Sequence, residues 1–308
     1  MARPRAEGAQ RDRHLVAPPR RVRAALRRVV ELVRASGCGE FAKRVIGARL
    51  SSRAVFYGVC GLLFALCAVG TIAACVSMSS MGETPMPGGW SMSMTWTPMC
   101  GQTWPRVAAS FIRMWTVMMI AMMLPSLAPV LWRYGERVRH AGEPHAGRLT
   151  LLVAVGYFAV WTALGMALFP PGAALATLEM QMPAFSRAVP IIAGVVVVIA
   201  GASQFTAWKA HYLGCCRQAP GRVHALPSRA SAAWRYGLRL GVHCSYCCAG
   251  LTAVLVVIGV MDLVAMAAVT AAMTLERLAP RGERVARGIG FVVVGMGSFM
   301  IVRAAWLM

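Results

Sequence analysis

The sequence predicts an all-α fold, a polytopic helical membrane protein with about seven transmembrane helices. Three observations carry that expectation. Of 308 residues, 58% are hydrophobic and the mean hydropathy is +0.59, more apolar than an ordinary soluble domain. Several windows of about 20 residues are nearly free of charge, the length a helix needs to cross a bilayer. The remaining charge, +21 net from 32 basic and 11 acidic residues, collects at the ends of those windows, where the positive-inside rule puts it. That distribution argues against nucleic acid as the partner of so basic a chain and for the lipid bilayer. Ten cysteines in a long membrane chain do not read as a disulfide scaffold.

Residues 1–53 form a basic N-terminal segment with no spanning stretch. Val22, Leu26, Val29 and Val33 recur at helical spacing, with Arg23, Arg27, Arg28 and Arg34 mostly off that stripe. A surface-lying amphipathic helix and a disordered arginine-rich tail held near anionic lipid both fit. No short apolar core with a small-residue cleavage site marks a removable signal peptide. Residues 54–308 make the helical transmembrane domain. Its first span is about Val55 to Val76, and the 14 basic residues before it place the N-terminus in the cytoplasm of a multi-pass cell (inner) membrane protein.

The loop 77–105 is then external. It carries Met78, Met81, Met86, Met92, Met94, Met99 and Cys100 among the tryptophans Trp90, Trp96 and Trp104. Thioethers are soft ligands that survive an oxidising compartment, which favours Cu(I); a greasy interfacial loop with tryptophan anchors explains the same residues. The second span, about Val107 to Trp132, holds an i,i+4 ladder of Met114, Met118 and Met122, with Met119 and Met123 beside it, readable as adaptable packing or as a ligand path. Pro125 and Pro129 should kink or loosen this helix. His140 and His145 fall in a cytoplasmic loop and read as solvated. The third span, about Leu149 to Phe169, is broken by Pro170-Pro171-Gly172. The fourth, about Ala188 to Trp208, ends beyond Gln204, whose amide must face protein. A fifth runs from about Leu240 to Val260, a shorter sixth ends near Glu276, and a seventh, about Gly288 to Leu307, places the C-terminus outside.

Chemistry concentrates at two cytoplasmic clusters. In the first, His211, Cys215 and Cys216 are spaced H-x-x-x-C-C; in the second, His243, Cys247 and Cys248 repeat that spacing, with Cys244 added. On a helix, His243 and Cys247 are i,i+4 neighbours, as are Cys244 and Cys248, and all four fall within an arc of roughly 140°. Thiol and imidazole together suit copper, with zinc as the alternative. Antiparallel neighbours joined by one loop would bring the two copies face to face as one site. Buried cysteines that only pack in a membrane helix are the bland alternative. Glu276 would lie nearby, as a hard ligand or as an ion-pair partner of an arginine.

Three motifs in order, Ala121-Met122-Met123-Leu124-Pro125-Ser126, then Gln204-Phe205-Thr206-Ala207-Trp208-Lys209 with Cys216-Arg217, then Gly241-x-His243-Cys244-x-x-Cys247-Cys248 followed by Gly259-Val260-Met261-Asp262-Leu263, resemble a bacterial family of metal-binding integral membrane proteins, otherwise a domain of unknown function. The resemblance covers roughly Ser110 to Pro280. It implies metal ligands among these cysteines and supplies no reaction. Tyr212 stands where many members have a cysteine, and Ala249 where they have a tryptophan; His211 would then substitute as a ligand.

The leading functional expectation is therefore copper handling: uptake, or delivery or chaperoning to a cuproenzyme, with a cuproenzyme or metallochaperone as protein partner. The metal ligands would be His211, Cys215, Cys216, His243, Cys244, Cys247 and Cys248, with Met114, Met118 and Met122 as a path. A membrane thiol–disulfide oxidoreductase using Cys244 and Cys247 and a structural membrane subunit are the alternatives. No paired carboxylates, Ser/His/Asp set, phosphate-binding glycine loop or nucleotide fingerprint is present, so an enzyme is the less favoured reading and no catalytic residue is assigned.

Overall fold

The computed structural model describes residues 38–79, 84–86, 90–92, 96, 103–218 and 229–307, with side chains over 52–77, 96, 103–216 and 229–306. The amphipathic stripe expected around Val22–Val33 lies outside the described residues. The chain divides into two compact units, 1–55 and 56–308; the second contains the helical bundle.

Eight helices are described: α1 (Cys38–Ser79), α2 (Trp104–His140), α3 (Ala146–Gln181), α4 (Pro183–Ser203), α5 (Ala207–Gln218), α6 (Ala230–Ile258), α7 (Leu263–Leu278) and α8 (Gly282–Leu307). Two three-residue strands, β1 (Thr84–Met86) and β2 (Trp90–Met92), pair antiparallel within the methionine-rich loop. Trp96 of that loop packs on Phe111 and Phe169, tying the loop to α2 and α3.

The polytopic helical architecture holds. Among the described residues, six helical segments are long and apolar enough to cross a membrane: Ser52–Ser77, Trp104–His140, Ala146–Gln181, Pro183–Ser203, Ala230–Ile258 and Gly282–Trp306. The short sixth span expected from the sequence is α7. Its 16 residues rise about 24 Å, less than the roughly 30 Å hydrocarbon core. Other boundaries also move. Helix α3 runs through Pro170 and Pro171 to Gln181, and α2 through Pro125 and Pro129 to His140. The α2–α3 turn closes over 141–145, with Gly142 at φ 81°, a conformation glycine reaches without steric penalty. Asp262 is the N-cap of α7. Its carboxylate accepts from the backbone N–H of Val264 and Ala265 at 2.8 and 2.9 Å, satisfying two of the helix's orphan donors.

Small residues set the close helix pairs. Gly156 of α3 faces Trp234 and Gly237 of α6, and Gly241 of α6 faces Tyr157 and Val160. The residue numbers rise together, so α3 and α6 run parallel. Gly194 and Gly201 of α4 meet Gly297 and Gly290 of α8 in descending order, an antiparallel pair. Helix α2 packs antiparallel on α3, where the Trp115 indole donates to the Trp161 carbonyl at 2.9 Å and the Thr116 and Thr162 hydroxyls meet at 3.1 Å. One contiguous core unites Met118, Met119, Met122 and Met123 of α2, Met266 and Met273 of α7, and the cysteines Cys75, Cys216, Cys244, Cys247 and Cys248.

Candidate functional site

Helix α6 presents Cys244, Cys247 and Cys248 inward, each at most 2% exposed, because Gly237 and Gly241 let this side of the helix lie directly on α3. Helix α5 adds Cys216, also buried. Cys216 lies beside Cys247, and Cys248 beside both Cys244 and Cys247, closely enough for each thiol to act on its neighbour's ionisation. Four thiols from two helices therefore converge, and all eight described cysteines are free.

Polar side chains that no sequence motif singles out as ligands complete the cluster. The Tyr157 hydroxyl of α3 is 2.7 Å from Cys244 Sγ. Arg277, from the last turn of α7, donates through Nη2 to Cys244 Sγ at 2.7 Å and Cys248 Sγ at 3.1 Å, and through Nη1 to Ser126 Oγ of α2 at 3.0 Å. Ser126 in turn donates to the Met123 carbonyl, which anchors the guanidinium to the proline-containing stretch of α2. Beside them, Lys209 of α5 donates to Glu276 Oε2 and to the Cys247 carbonyl, both at 2.7 Å. These two side chains are 5% and 1% exposed, so of the two expectations for Glu276 the ion pair holds, and its partner is a lysine. Burial acts to lower the Lys209 pKa; the facing Cys247 and Glu276 outweigh it and leave the ammonium above its ordinary value. The neighbouring Cys247 thiol draws Cys216 below the usual thiol range against the opposing effect of burial.

A cavity of about 50 Å³ opens between α2, α3, α5, α6 and α7, lined by Ser126, Tyr157, Cys216, Cys244 and Arg277, with the exposed Arg133 also on its wall. That volume suits a water or a single ion. Two thiols, a phenol and a guanidinium make it a soft-ligand niche with positive charge beside it.

The histidines do not join this cluster. His243 Nδ1 donates back to the Arg239 carbonyl at 2.7 Å, and its ring packs on Tyr212 in an aromatic group with Trp208 and Tyr246. His211 is exposed, and its Nε2 lies 3.8 Å from the half-buried Cys215 Sγ. The expected single site from two H-x-x-x-C-C copies is therefore split. Cys216, Cys244, Cys247 and Cys248 come together; His211 and Cys215 pair with each other, and His243 faces the aromatic group. The 140° arc is wide enough to straddle the boundary between the buried and half-buried sides of α6. Among the described residues, no group of three or more His, Cys, Asp or Glu side chains is arranged as a preformed metal cage.

Met118 and Met122 are buried at 1% and 3% exposure, and Met114 packs partly buried against the same core. On α7, Met266, Met273 and Arg277 fall within about 40° of one another at 100° per residue. Near the start of α7, Met261 Sδ lies 3.7 Å from Cys75 Sγ of α1. Sulfur therefore recurs along α7 from its first turn to the thiol cluster.

No curated protein and no solved structure matches the chain. The sequence pattern of the PpoB2 family, described as copper chaperone, matches residues 112–300. That range covers more than half of the chain and includes Ser126, Tyr157, Lys209, all four converging cysteines, Glu276 and Arg277. The chain belongs to the PpoB2 copper chaperone family.

Proposed function

We propose that this protein binds Cu(I) within a cell membrane and hands it to a cuproenzyme or metallochaperone, the metal being cargo. The observation that carries the reading is the convergence of Cys216, Cys244, Cys247 and Cys248 beside a cavity of ion size. Thiolates are the preferred ligands of Cu(I), and two or three of them suffice for its low coordination numbers. A closed zinc site needs four ligands already set tetrahedrally, and among the described residues no three or more His, Cys, Asp or Glu side chains are so arranged.

The membrane reading rests on the six apolar helices and on their outward faces, where Leu62, Leu66, Val69, Phe291, Val292, Phe299 and Val302 are exposed. A soluble protein rarely presents so much apolar surface. Under this reading the arginine distribution orients the N-terminus to the cytoplasm, and the short α7, running back along α6 from Asp262 to Arg277, supplies the reversal that lets α8 end outside. In this reading Cu(I) enters from the methionine-rich loop 77–105 and passes Cys75 and Met261. It continues between the methionines of α2 and α7, Met114, Met118 and Met122 among them, and rests on the thiols. Their neighbours do defined work: Arg277 and Tyr157 hold Cys244, and Lys209 and Glu276 fix the α5–α6–α7 junction that carries Cys247 and Cys216.

The test is a Cu(I) titration of the purified chain in micelles against a chromophoric Cu(I) chelator, with Cys216→Ser, Cys244→Ser, Cys247→Ser and Cys248→Ser. At least one equivalent of Cu(I) in wild type, with affinity lowered tenfold or more in Cys244→Ser and Cys248→Ser, is expected. Wild-type protein that binds no Cu(I) and instead cycles a Cys244–Cys247 disulfide would move the assignment to thiol–disulfide exchange.

A further inference from the structure

The charges around the thiols have a consequence beyond holding copper. Arg277 Nη2 is in contact with both Cys244 Sγ and Cys248 Sγ, and Arg133 is on the wall of the same cavity. The carboxylate packed beside this group, Glu276, is matched by Lys209 at 2.7 Å. The immediate surroundings of the thiols thus carry the Lys209–Glu276 pair, which sums to zero, and the guanidinium, which remains cationic at every working pH. Among the described residues, no carboxylate lines the cavity.

We propose that Arg277 is a specificity-determining residue that makes the Cys244–Cys248 site select a monovalent soft cation over a divalent one. The inference rests on the thiol-site reading above. Two thiolates and one Cu(I) leave a single negative charge, which the Arg277 guanidinium neutralises. Two thiolates and one Zn(II) are already neutral, and the guanidinium then stands as an uncompensated cation against the metal, in surroundings where charge is costly. Cu(I) and Zn(II) are isoelectronic, both d¹⁰ without directional preference of their own. Charge is therefore the principal difference that a contacting guanidinium can sense. With the metal about 5 Å from the guanidinium and an effective dielectric near 20, the extra unit of charge disfavours the divalent ion by a factor on the order of a hundred.

The experiment measures the ratio of Cu(I) to Zn(II) affinities, and of the isoelectronic pair Ag(I) to Cd(II), for wild type, Arg277→Gln, Arg277→Lys and Ser126→Asp in micelles. Arg277→Gln should narrow both ratios by about a hundredfold, while Arg277→Lys stays within about threefold of wild type. Ser126→Asp puts a carboxylate where Oγ now meets Nη1 at 3.0 Å. It neutralises the guanidinium without removing it and should move the ratios as Arg277→Gln does, even where that variant fails to fold. Ratios unchanged within threefold in the folded variants overturn the proposal while leaving the thiol site standing. Wild type that binds neither ion, or binding that survives Cys244→Ser with Cys248→Ser, overturns the thiol-site reading itself and this proposal with it.

Discussion

Replacing Lys209 with methionine tests whether the Lys209–Glu276 pair is a structural keystone of the thiol cluster. At 2.7 Å and an effective dielectric near 20, the attraction of the two charges is about 6 kcal/mol, largely offset by the cost of taking both out of water. The intact pair therefore adds little net stability; removing one member is what costs. In Lys209→Met, Glu276 loses its ammonium partner while staying about 1% exposed. Protonating a carboxyl of ordinary pKa at pH 7 costs about 3.7 kcal/mol, which limits the damage and falls within the roughly 3–5 kcal/mol typical of a broken buried pair. Glu276→Gln should cost less, because Lys209 keeps its hydrogen bond to the Cys247 carbonyl. The double variant Lys209→Met with Glu276→Gln should recover at least about 2 kcal/mol relative to the sum of the singles. Denaturant unfolding of all four proteins in mixed micelles measures that cycle. A coupling below about 0.5 kcal/mol would refute the reasoning, because a solvated pair behaves that way.

Three shorter tests separate roles within the fold. Asp262→Ala should lower stability by about 1 kcal/mol through loss of the α7 N-cap, with Cu(I) affinity unchanged; a tenfold loss of affinity would show a direct role for Asp262 in binding. Gly237→Val should drive a side chain into the Val153 backbone, with which a Cβ already collides, and lower the thermal midpoint by several degrees, a cost of about 1–3 kcal/mol. His211→Ala and His243→Ala should each change Cu(I) affinity by less than threefold, in contrast to the cysteine variants, because neither ring joins the thiol cluster; a tenfold loss in either would return the histidines to the ligand set.

Apolar run length is enough to find the long helices, and local density of cysteine is enough to find the thiols. What run length misses is continuity: Pro170 and Pro171 read as a break in sequence, yet α3 continues through them to Gln181. Helical spacing correctly pairs Cys244 with Cys248, because i,i+4 fixes that geometry whatever surrounds the helix. It also includes His243, whose ring packs on Tyr212, because spacing defines an arc and not which edge of that arc is buried. The polar partners are harder to see. Tyr157 lies 87 residues from Cys244 in the chain, and Ser126 lies further still. Only the parallel packing of α3 on α6 and the descent of α7 bring them in. By charge alone, Arg277 reads as a marker of the cytoplasmic side. One signal is available: Glu276-Arg277 interrupts an otherwise apolar run, and an ionisable group at such a place is a site until shown otherwise. Lys209 carries a similar hint, as one of only two lysines in a chain that otherwise uses arginine.

The order in which the parts of the cluster leave the ribosome bears on how it matures. Ser126 and Tyr157 are made first, Cys216 and the α6 thiols later, and Arg277 after them. Until α7 is synthesised and descends against α6, the cysteines of a nascent chain lack the guanidinium that bridges Cys244 and Cys248. A chain interrupted before Arg277 would carry four sulfurs without their counter-ion. The last charged partner to be translated is thus the one that touches two thiols at once, and packing of α7 completes the electrostatic setting of the sulfur cluster before α8 is laid against α4.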